Sequence, residues 1–414
     1  MTSPAAEEVL FLAHRIPFPP DRGDKIRSHH VLRHIASRAP VHVATFADDP
    51  FDMAEEPALA RLAASHCLVH RAKPLALAGV EALLSGRPVS LTAFRSEALA
   101  RYVAKVLATR PIRAIYVFSG QMGQYVPKDL RGRLVTDFVD VDSAKFEAYA
   151  QDASWPRAWI DAREGRRLAA EEARLAAKSD VSLLVSEAEA GLFRSRLPQG
   201  TTADVRAIGN GIDCAFFDPT CVVPAPEVVA GGGPRIVFTG QMDYAPNIAA
   251  ARRAIEAILP RVRAVLPEAT MHIVGRNPPE ALTALHGREG AHVWGRVPDI
   301  RPWLAAADIA LVPLAIARGI QNKVLEAMAM ELPVVCTSGA ATGIAAQPGC
   351  DIMVADEDAA LADAVIGLWR DRSAARAMGE AARRFVIAEA DWGARLADLG
   401  DLLGLTSDKA RDAA

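Results

Sequence analysis

Cysteine is scarce in this chain of 414 residues. Its five cysteines are scattered, no two of them form a Cys-x-x-Cys pair, and their number is odd. A disulfide framework or a structural zinc site needs cysteines at short, regular spacings. The sequence therefore indicates neither, and unpaired cysteines favour a reducing compartment.

A surplus of positive charge is also missing. Lys and Arg total 47 against 50 Asp and Glu, which gives a formal net charge of −3. Proteins that bind nucleic acid usually carry a basic surplus that neutralises phosphates. The composition therefore gives no support for a nucleic-acid partner.

Long hydrophobic runs are absent as well. No apolar run approaches the roughly 18 residues that a membrane-spanning helix needs. The first residues, MTSPAAEEVL, are acidic and lack the basic start and apolar run of a signal peptide. We therefore expect a cytoplasmic protein, soluble or in peripheral contact with the cytoplasmic face of the inner membrane.

Apolar, β-rich runs do alternate with helical patterns through most of the chain. Helices are predicted at 25–39, at about 156–178 and at 247–266. Strands are predicted at 9–16, 41–47, 114–119, 133–139, 181–186, 235–240, 271–275, 292–297, 308–314 and 333–338. Near-continuous apolar strands separated by helices are typical of parallel sheets covered on both faces.

The alternation pauses at residues 216–234, a segment dense in Pro and Gly that predicts a linker. The chain is also long for a single core. We therefore predict two doubly wound α/β domains, the first over 1–215 and the second over 235–385. Residues 386–414 are expected to form a helix that packs back on the first domain, followed by a frayed tail.

The loop HRIPFPPDRGDKIRS, residues 14–28, joins the first predicted strand to the first predicted helix. Ligands in open α/β sheets bind beyond the carboxyl ends of strands. Gly23 would let the backbone approach a ligand closely, and free N–H groups at a helix start favour anions. We therefore predict a ligand site at Gly23 and Asp24, although an ordinary glycine turn explains the pattern equally well.

Three carboxylates lie at the end of the strand predicted at 133–139, in DFVDVDS. Asp140 and Asp142 form an Asp-x-Asp pair, which in some nucleotide-sugar enzymes holds a divalent metal. Alternatively, one Asp contacts an acceptor hydroxyl or acts as a base. Helix capping by Asp142 or Ser143 is a third interpretation, and it would account for only part of the cluster.

Two predicted strands of the second half end in glycine, with Gly240 and Gln241 in FTGQMDYAPN and Gly275 and Arg276 in VGRNP. Arg276 could meet a phosphate or pair with a surface carboxylate, and the residues alone favour the surface pair. The GNGID turn at 209–213 predicts a tight turn at the domain junction, which a purely structural hinge would also explain.

The segment ARGIQNKVLEAMAM, residues 317–330, predicts a helix over 320–330 with one apolar stripe. Lys323 and Glu326 lie together on its flank and could form a local pair. A cation in the first turn is disfavoured by the helix dipole, so an anionic ligand would remove that conflict. A diphosphate suits Lys323, the free N–H groups and Gly319, while Glu326 could accept hydrogen bonds from a ribose diol.

The chain resembles the retaining glycosyltransferases of family 4 in GRVPDIRPWLAAADIALVPL and ARGIQNKVLEAMAMELPVV. It is also similar to the sugar transferases associated with exosortase (PEP-CTERM) exopolysaccharide systems. The segments that carry this second likeness are HRIPFPPDRGDKIRSHHVLRHI, TFADDP, GNGID and FTGQMDYAPN. The likeness covers about residues 9–400. It implies the GT-B fold, in which two Rossmann-like α/β domains face each other across a cleft and the C-terminal one binds the nucleotide-sugar.

The family carries a Glu-x7-Glu motif on one helix of the donor domain. Its second Glu binds the nucleotide ribose, and Glu326 matches that position. Its first Glu touches the donor sugar, and here the position is Arg318, which suggests a donor with a carboxylate, another way of holding hydroxyls, or a pair with a nearby acid. The family's acceptor-domain His is not obvious, so the candidate catalytic residues are Asp137, Asp140 and Arg318.

A second departure lies after the first strand of the donor domain. Many members place an Arg and then a Lys on the pyrophosphate there, whereas this chain has Gln241 and no Lys before Arg252. Lys323 and Arg276 are then the best phosphate partners. The candidate donor-binding residues are Gly23, Asp24, Gly240, Gln241, Arg276, Gly319, Asn322, Lys323 and Glu326. The family works without a bound metal, so the resemblance implies neither a metal nor a cofactor.

The resemblance thus implies transfer of a sugar, with retention, from a nucleoside-diphosphate sugar to a glycan or polyprenyl-linked glycan in exopolysaccharide biosynthesis. Two other classes stay open. A nucleotide-sugar 2-epimerase would need no acceptor, and a non-catalytic nucleotide-sugar-binding subunit is suggested by Arg318.

The helix predicted around residues 155–178 bears on the acceptor. Trp155, Trp159 and several Arg are typical of a helix that lies in a membrane interface. Four acidic residues of the same segment favour a solvated surface helix instead: Asp161, Glu164, Glu171 and Glu172.

Overall fold

The structure is a computed structural model that describes residues 7–20, 22–315 and 320–405. Its strands are β1 Glu8–Ala13, β2 Val41–Ala47, β3 Ser65–His70, β4 Ile112–Phe118, β5 Arg133–Val139, β6 Val181–Leu184, β7 Val205–Ala207, β8 Arg235–Thr239, β9 Thr270–Val274, β10 Ala291–Gly295, β11 Ile309–Val312, β12 Val334–Cys336 and β13 Met353–Val354.

The helices are α1 Gly23–Ala36, α2 Pro50–Ala54, α3 Glu56–Leu62, α4 Leu75–Ser85, α5 Val89–Ala93, α6 Glu97–Thr109, α7 Asp142–Asp152, α8 Arg157–Lys178, α9 Glu187–Arg196, α10 Pro226–Val229, α11 Ala245–Arg253, α12 Leu259–Val265, α13 Glu280–Thr283, α14 Arg301–Ala306, α15 Asn322–Ala329, α16 Ser338–Ala341, α17 Asp358–Arg370, α18 Arg372–Phe385, α19 Trp392–Arg395 and α20 Leu399–Leu402.

Every strand predicted from apolar runs is present, with bounds that differ by a few residues at most. The helix predicted at 247–266 is present as α11 and α12, which are joined by a π-helical turn over Ala254–Ile258. The helix predicted at 320–330 is shorter than expected, because α15 begins only at Asn322 and ends at Ala329. Lys323 is still in its first turn.

The first sheet is parallel and runs β3-β2-β1-β4-β5-β6-β7. β1 and β2 are buried along their whole length, as expected for strands covered on both faces. The chain moves outward from β1 to β3 and then returns to place β4 on the other side of β1. The point where strand order reverses is the crevice in which open α/β sheets bind ligands, and here it lies between β1 and β4.

The second sheet is also parallel and runs β10-β9-β8-β11-β12-β13. Its strand order reverses between β8 and β11. The loops that follow β8 and β11 are therefore the natural ligand-binding edge of this sheet. α15 follows β11 in the chain and packs against β11 and β12, and its Val324 and Met328 are buried.

The chain divides into two compact units, one of residues 1–210 and 395–414 and the other of residues 211–394. The predicted linker, 216–234, lies in the second unit, where Ala225 N–H donates to Pro302 O at 2.9 Å. α20 belongs to the first unit, in which Arg113 Nε donates to Gly404 O at 3.2 Å. Among the residues that the structure describes, no helix is long and apolar enough to cross a membrane.

Candidate functional site

Two glycines shape the ligand-binding edge of the second sheet. Gly240 directly follows β8 with φ of +155°, a conformation that residues with a Cβ rarely adopt. Gly275 directly follows β9, and a Cβ built there would lie 1.6 Å from Gly240 O. The ends of the two strands therefore approach more closely than any side chain would allow.

Lys323 is held at this edge by neighbouring side chains. Its Nζ donates to Asn247 Oδ1 at 2.7 Å and lies 5.2 Å from the centre of the Phe238 ring. Asn247 in turn donates from Nδ2 to Gln241 O at 2.9 Å, so the ammonium is tied to the loop after β8. Burial lowers the pKa of Lys323 to about 8, although Glu326 opposes the shift. The group is a cation that can lose its proton near neutral pH.

Glu326 lies one turn further along α15 and is half-buried. Burial raises its pKa to about 7, with Lys323 opposing. Within the described part of the chain, no hydrogen bond or ion pair reaches this carboxylate, and its distance from Lys323 exceeds the 4.0 Å of an ion pair. The local pair considered from the sequence is therefore not closed, and the carboxylate can accept hydrogen bonds from a ligand.

The other predicted donor-binding residues of the second unit lie on its surface or outside the described residues. Arg276 follows Gly275 and is exposed, and no carboxylate pairs with it among residues 7–20, 22–315 and 320–405. Gln241 and Asn322 are exposed, with Asn322 as the first residue of α15. Arg318 and Gly319 lie outside the described residues, so their predicted roles stay predictions.

In the first unit, His14 occupies the reversal point between β1 and β4. It follows β1, its ring stacks on Phe118 at a centroid distance of 5.8 Å, and it meets Phe94 edge-on. Its Nε2 lies 3.4 Å from Asp24 Oδ2. Its Nδ1 is buried and has no hydrogen-bond partner among the described residues. A buried ring nitrogen without a partner is costly unless a ligand or water meets it.

Asp24 is already engaged by the protein. It lies in the first turn of α1, and the Arg15 guanidinium donates to its Oδ2. Burial would raise the pKa of Asp24, but His14 and Arg15 hold it well below its usual range. Gly23 begins α1, and a Cβ built there would meet no atom within 4 Å. Open space beside a helix start is compatible with the predicted approach of a ligand.

The two predicted catalytic carboxylates have different surroundings. Asp137 is fully buried, and its Oδ2 accepts from Arg27 Nε at 2.8 Å and from the Tyr116 hydroxyl at 2.7 Å. Asp140 is half-exposed and accepts from Lys145 Nζ at 2.7 Å. Only the second carboxylate is open to a substrate, whereas the first neutralises a buried guanidinium.

The capping interpretation of Asp142 and Ser143 is wrong. α7 begins at Asp142 itself, and the residue before it makes no side-chain capping bond. Asp142 Oδ2 instead accepts from Gln121 Nε2 at 3.3 Å, and burial raises its pKa. The Ser143 hydroxyl donates to Glu172 Oε2 at 2.5 Å. With Leu91 of α5, Asp140 and Asp142 line a small cavity at this edge of the sheet.

His14 is the residue that sequence reasoning missed. It stands in the loop 14–28, in which the sequence predicts a ligand site, and directly follows the core of a predicted strand. It contacts Phe94, Phe118 and Asp24, which are far apart in sequence. The available signal was its position at a strand end, which becomes informative only when the strand order is known.

Residues 233–371 match the protein family described as Glycosyl transferases group 1. The matched segment contains Gly240, Arg276, Lys323 and Glu326. Among curated protein sequences, none matches the chain.

Several solved structures have a similar fold over nearly the whole chain. HepE of Anabaena, in complex with UDP and glucose, is 16% identical, with 96% of this chain and 99% of that chain covered and a TM-score of 0.58. Sucrose-phosphate synthase of Thermosynechococcus elongatus is 16% identical, with 99% and 100% covered and a TM-score of 0.60. WaaG, a glycosyltransferase involved in lipopolysaccharide biosynthesis, is 17% identical, with 96% and 100% covered and a TM-score of 0.57. The predicted fold class, two Rossmann-like α/β domains of the GT-B type, is confirmed.

Proposed function

We propose that the protein is a glycosyltransferase that moves a sugar from a nucleoside-diphosphate sugar to a hydroxyl group of a glycan or polyprenyl-linked glycan. The observation that carries this proposal is the pair Lys323 and Glu326 at the start of α15. The half-buried Lys323 ammonium suits a diphosphate. The half-buried Glu326 carboxylate accepts no hydrogen bond from the described residues and suits a ribose diol. Their place in a group 1 domain supports the same conclusion.

In the reaction, the bond between the anomeric carbon and the diphosphate oxygen breaks while a bond from that carbon to the acceptor oxygen forms. The nucleoside diphosphate leaves with the bonding electrons, and the acceptor hydroxyl loses its proton. Lys323, the N–H groups at the start of α15 and exposed Arg276 would stabilise the charge that develops on the diphosphate. Preorganised donors of this kind usually supply a large share of the rate enhancement.

On the first unit, Asp140 is proposed to contact the acceptor hydroxyl or to receive its proton. Lys145 keeps this carboxylate oriented at 2.7 Å, and the side chain stays half-exposed. His14 and the α1 start at Gly23 are proposed to border the acceptor on this unit. Retention of configuration, independence of metal and a role in exopolysaccharide synthesis rest on the sequence resemblance and are part of this proposal.

The test is a thermal-shift screen of the protein against UDP-, GDP-, dTDP- and CMP-sugars, because a ligand that binds the native state raises its melting temperature. HepE was solved with UDP-glucose, so this donor is the first to try. We expect one nucleotide class to stabilise the wild type and to stabilise Glu326→Gln much less. Absence of any shift across all four classes would contradict the proposal.

Turnover then separates the transferase from other uses of a donor site. With the stabilising donor and a glycan or polyprenyl-linked glycan acceptor, we expect acceptor-dependent release of the nucleoside diphosphate. A new sugar nucleotide formed from the donor alone would indicate an epimerase, and tight binding without turnover over a broad acceptor panel would indicate a binding subunit. Either result would overturn the proposed transfer.

A further inference from the structure

Helix α4 is apolar almost all round and yet lies on the surface of the first unit. Its buried residues are Ala78 and Ala82 alone, and its one charged residue, Glu81, is paired with Lys73. At least half of the surface is exposed on each of its large apolar side chains, Leu75, Leu77, Val80, Leu83 and Leu84. A helix that is hydrophobic on every side is normally buried, so this surface lacks its cover.

A second exposed apolar group lies at the start of α8. Trp155 is 82% exposed, and Trp159 and Ile160 are about half-exposed. Arg163 of α8 joins this group to the end of α4, because its guanidinium donates to Ala82 O at 2.7 Å and to Arg87 O at 3.3 Å. The exposed residues of the two helices therefore belong to one neighbourhood.

Glu164 makes that connection rigid. It is buried, and its carboxylate accepts from the N–H groups of Val89 and Ser90 at 2.7 and 2.9 Å. These two residues begin α5, the short helix that follows α4. α8 is thus joined to α5, and α5 packs against α4, so the two helices that carry the exposed apolar side chains are connected through α5.

On α4 and the first half of α8 the acids are buried or paired, and the exposed charged side chains are mainly arginines. The acids of α8 that favoured a solvated helix point inward or are paired: Asp161, Glu164 and Glu172 are buried, and Glu171 accepts from Arg174. The side chains of Arg87, Arg166 and Arg167 are exposed, as is that of Arg157, whose Nε lies 3.5 Å from Asp161 Oδ2. The outer surface thus combines Leu and Trp with Arg, and its partly exposed acid Glu81 is paired with Lys73.

We propose that α4 and the first half of α8 form a docking surface for a lipid bilayer that contains anionic lipids. Leucine and tryptophan would enter the boundary between headgroups and acyl chains, where amphipathic rings are favoured. The exposed arginines would lie at the level of negative headgroups, which attract basic residues near the membrane surface. A second protein or another copy of this chain would meet an apolar surface equally well, but exposed arginines beside acids that are buried or paired favour an anionic membrane.

The docking surface would also place the acceptor. Leu91 of α5, a few residues beyond the end of α4, lines the cavity that contains Asp140 and Asp142. A membrane-borne acceptor would meet these carboxylates close to the lipid surface. This last step rests on the proposed function, whereas membrane docking itself does not.

The test is cosedimentation of the full chain with vesicles of phosphatidylcholine alone and of phosphatidylcholine mixed with phosphatidylglycerol. We expect binding to the mixed vesicles, weaker binding to the neutral ones, and a decrease as salt is added. The double variant Leu83→Ser/Leu84→Ser should bind about tenfold more weakly, because two exposed apolar side chains no longer enter the bilayer. Arg166→Gln/Arg167→Gln should bind the mixed vesicles about tenfold more weakly and show less salt dependence.

Matched controls come from the second unit. Val223 is 84% exposed, so Val223→Ser removes an equally exposed apolar side chain, and Arg370→Gln/Arg384→Gln removes two exposed arginines. Both controls should bind vesicles like the wild type. Failure of the wild type to sediment with mixed vesicles, or equal losses in the controls, would overturn the proposal.

Sedimentation velocity without lipid identifies the other occupants. A dimer that Leu83→Ser/Leu84→Ser dissociates, together with no vesicle binding, would assign the surface to a second copy and also overturn the proposal. The nucleotide thermal shift is measured on the same variants. If nucleotide does not raise the melting temperature of the wild type, only the proposed sugar transfer is contradicted. Membrane docking is measured separately, by cosedimentation.

Discussion

At the scale of single residues, burial separates groups that look alike in sequence. Asp137 and Asp140 stand three positions apart and were equal candidates for catalysis. One neutralises Arg27, which is 1% exposed, and the other keeps part of its surface open beside Lys145. The first therefore acts on stability, and only the second can touch a substrate.

Variants of the two carboxylates should give opposite results. Asp137→Asn leaves a buried guanidinium without its counter-charge, which costs about 3 kcal/mol or more of unfolding free energy. Asp140→Asn should change stability little, because its ion pair is partly exposed, and should lower turnover at least about 100-fold if it takes the acceptor proton. Chemical denaturation and turnover of each variant, compared with Lys145→Met, check both statements. A stable Asp137→Asn protein would contradict the structural role.

Lys323 and Glu326 make donor binding depend on pH in both directions. The carboxylate accepts ribose hydroxyls when it is ionised, above its pKa of about 7. The ammonium attracts the diphosphate when it is protonated, below its pKa of about 8. Burial causes both shifts, so affinity should peak between these two values.

Calorimetric titration with the preferred nucleoside diphosphate from pH of about 6 to about 9 measures this dependence. In Glu326→Gln the loss of affinity toward acid pH should disappear, and in Lys323→Met the loss toward alkaline pH should disappear. A wild-type profile that is flat over this range would show that neither group titrates at the nucleotide.

At the scale of elements, the donor edge depends on a backbone approach that only glycine permits. β8 and β9 end in Gly240 and Gly275, and the latter has no room for a Cβ beside Gly240 O. α15 then brings Lys323 to Asn247 in the first turn of α11, and Asn247 donates to Gln241 O in the loop after β8. The ends of β8 and β9 and the start of α15 are therefore structurally coupled, so a change in one should alter the positions of the others.

Gly275→Ala should therefore disturb the site without removing any of its polar groups. We expect a loss of about 2–3 kcal/mol in stability, typical of overpacking, and a much smaller thermal shift with nucleotide. Gly191→Ala is the control, because a Cβ at this exposed helical position of α9 meets no atom within 4 Å. It should keep the nucleotide shift and be stabilised by about 0.5–1 kcal/mol. Normal nucleotide binding by Gly275→Ala would contradict the proposed coupling.

At the scale of the whole molecule, the sequence was sufficient for the fold because buried parallel strands are apolar throughout. β3, β7 and β13 were not predicted from it. β7 and β13 are short edge strands, and β3 is only half-buried, so their formation depends on pairing with a neighbouring strand. Lys323 could be found because a cation conflicts with a helix start, and Glu326 because it lies beside Lys323 on the same flank; both signals are local. The role of His14 and the burial of the acidic residues of α8 could not be found from the sequence, because both follow from tertiary packing.

α15 is proposed to hold a nucleoside diphosphate through Lys323. Isothermal titration of the nucleoside diphosphate that gives the largest thermal shift tests it most directly. Lys323→Met should weaken binding about 10- to 100-fold, the usual value for hydrogen bonds to a charged group. The control is Arg370→Met. The adjacent Trp369 packs against Gly233, which precedes β8, whereas Gly240 follows β8, so this arginine lies near the opposite end of the strand. Equal affinity in the wild type and Lys323→Met, or an equal loss in Arg370→Met, would contradict the assignment of the donor site.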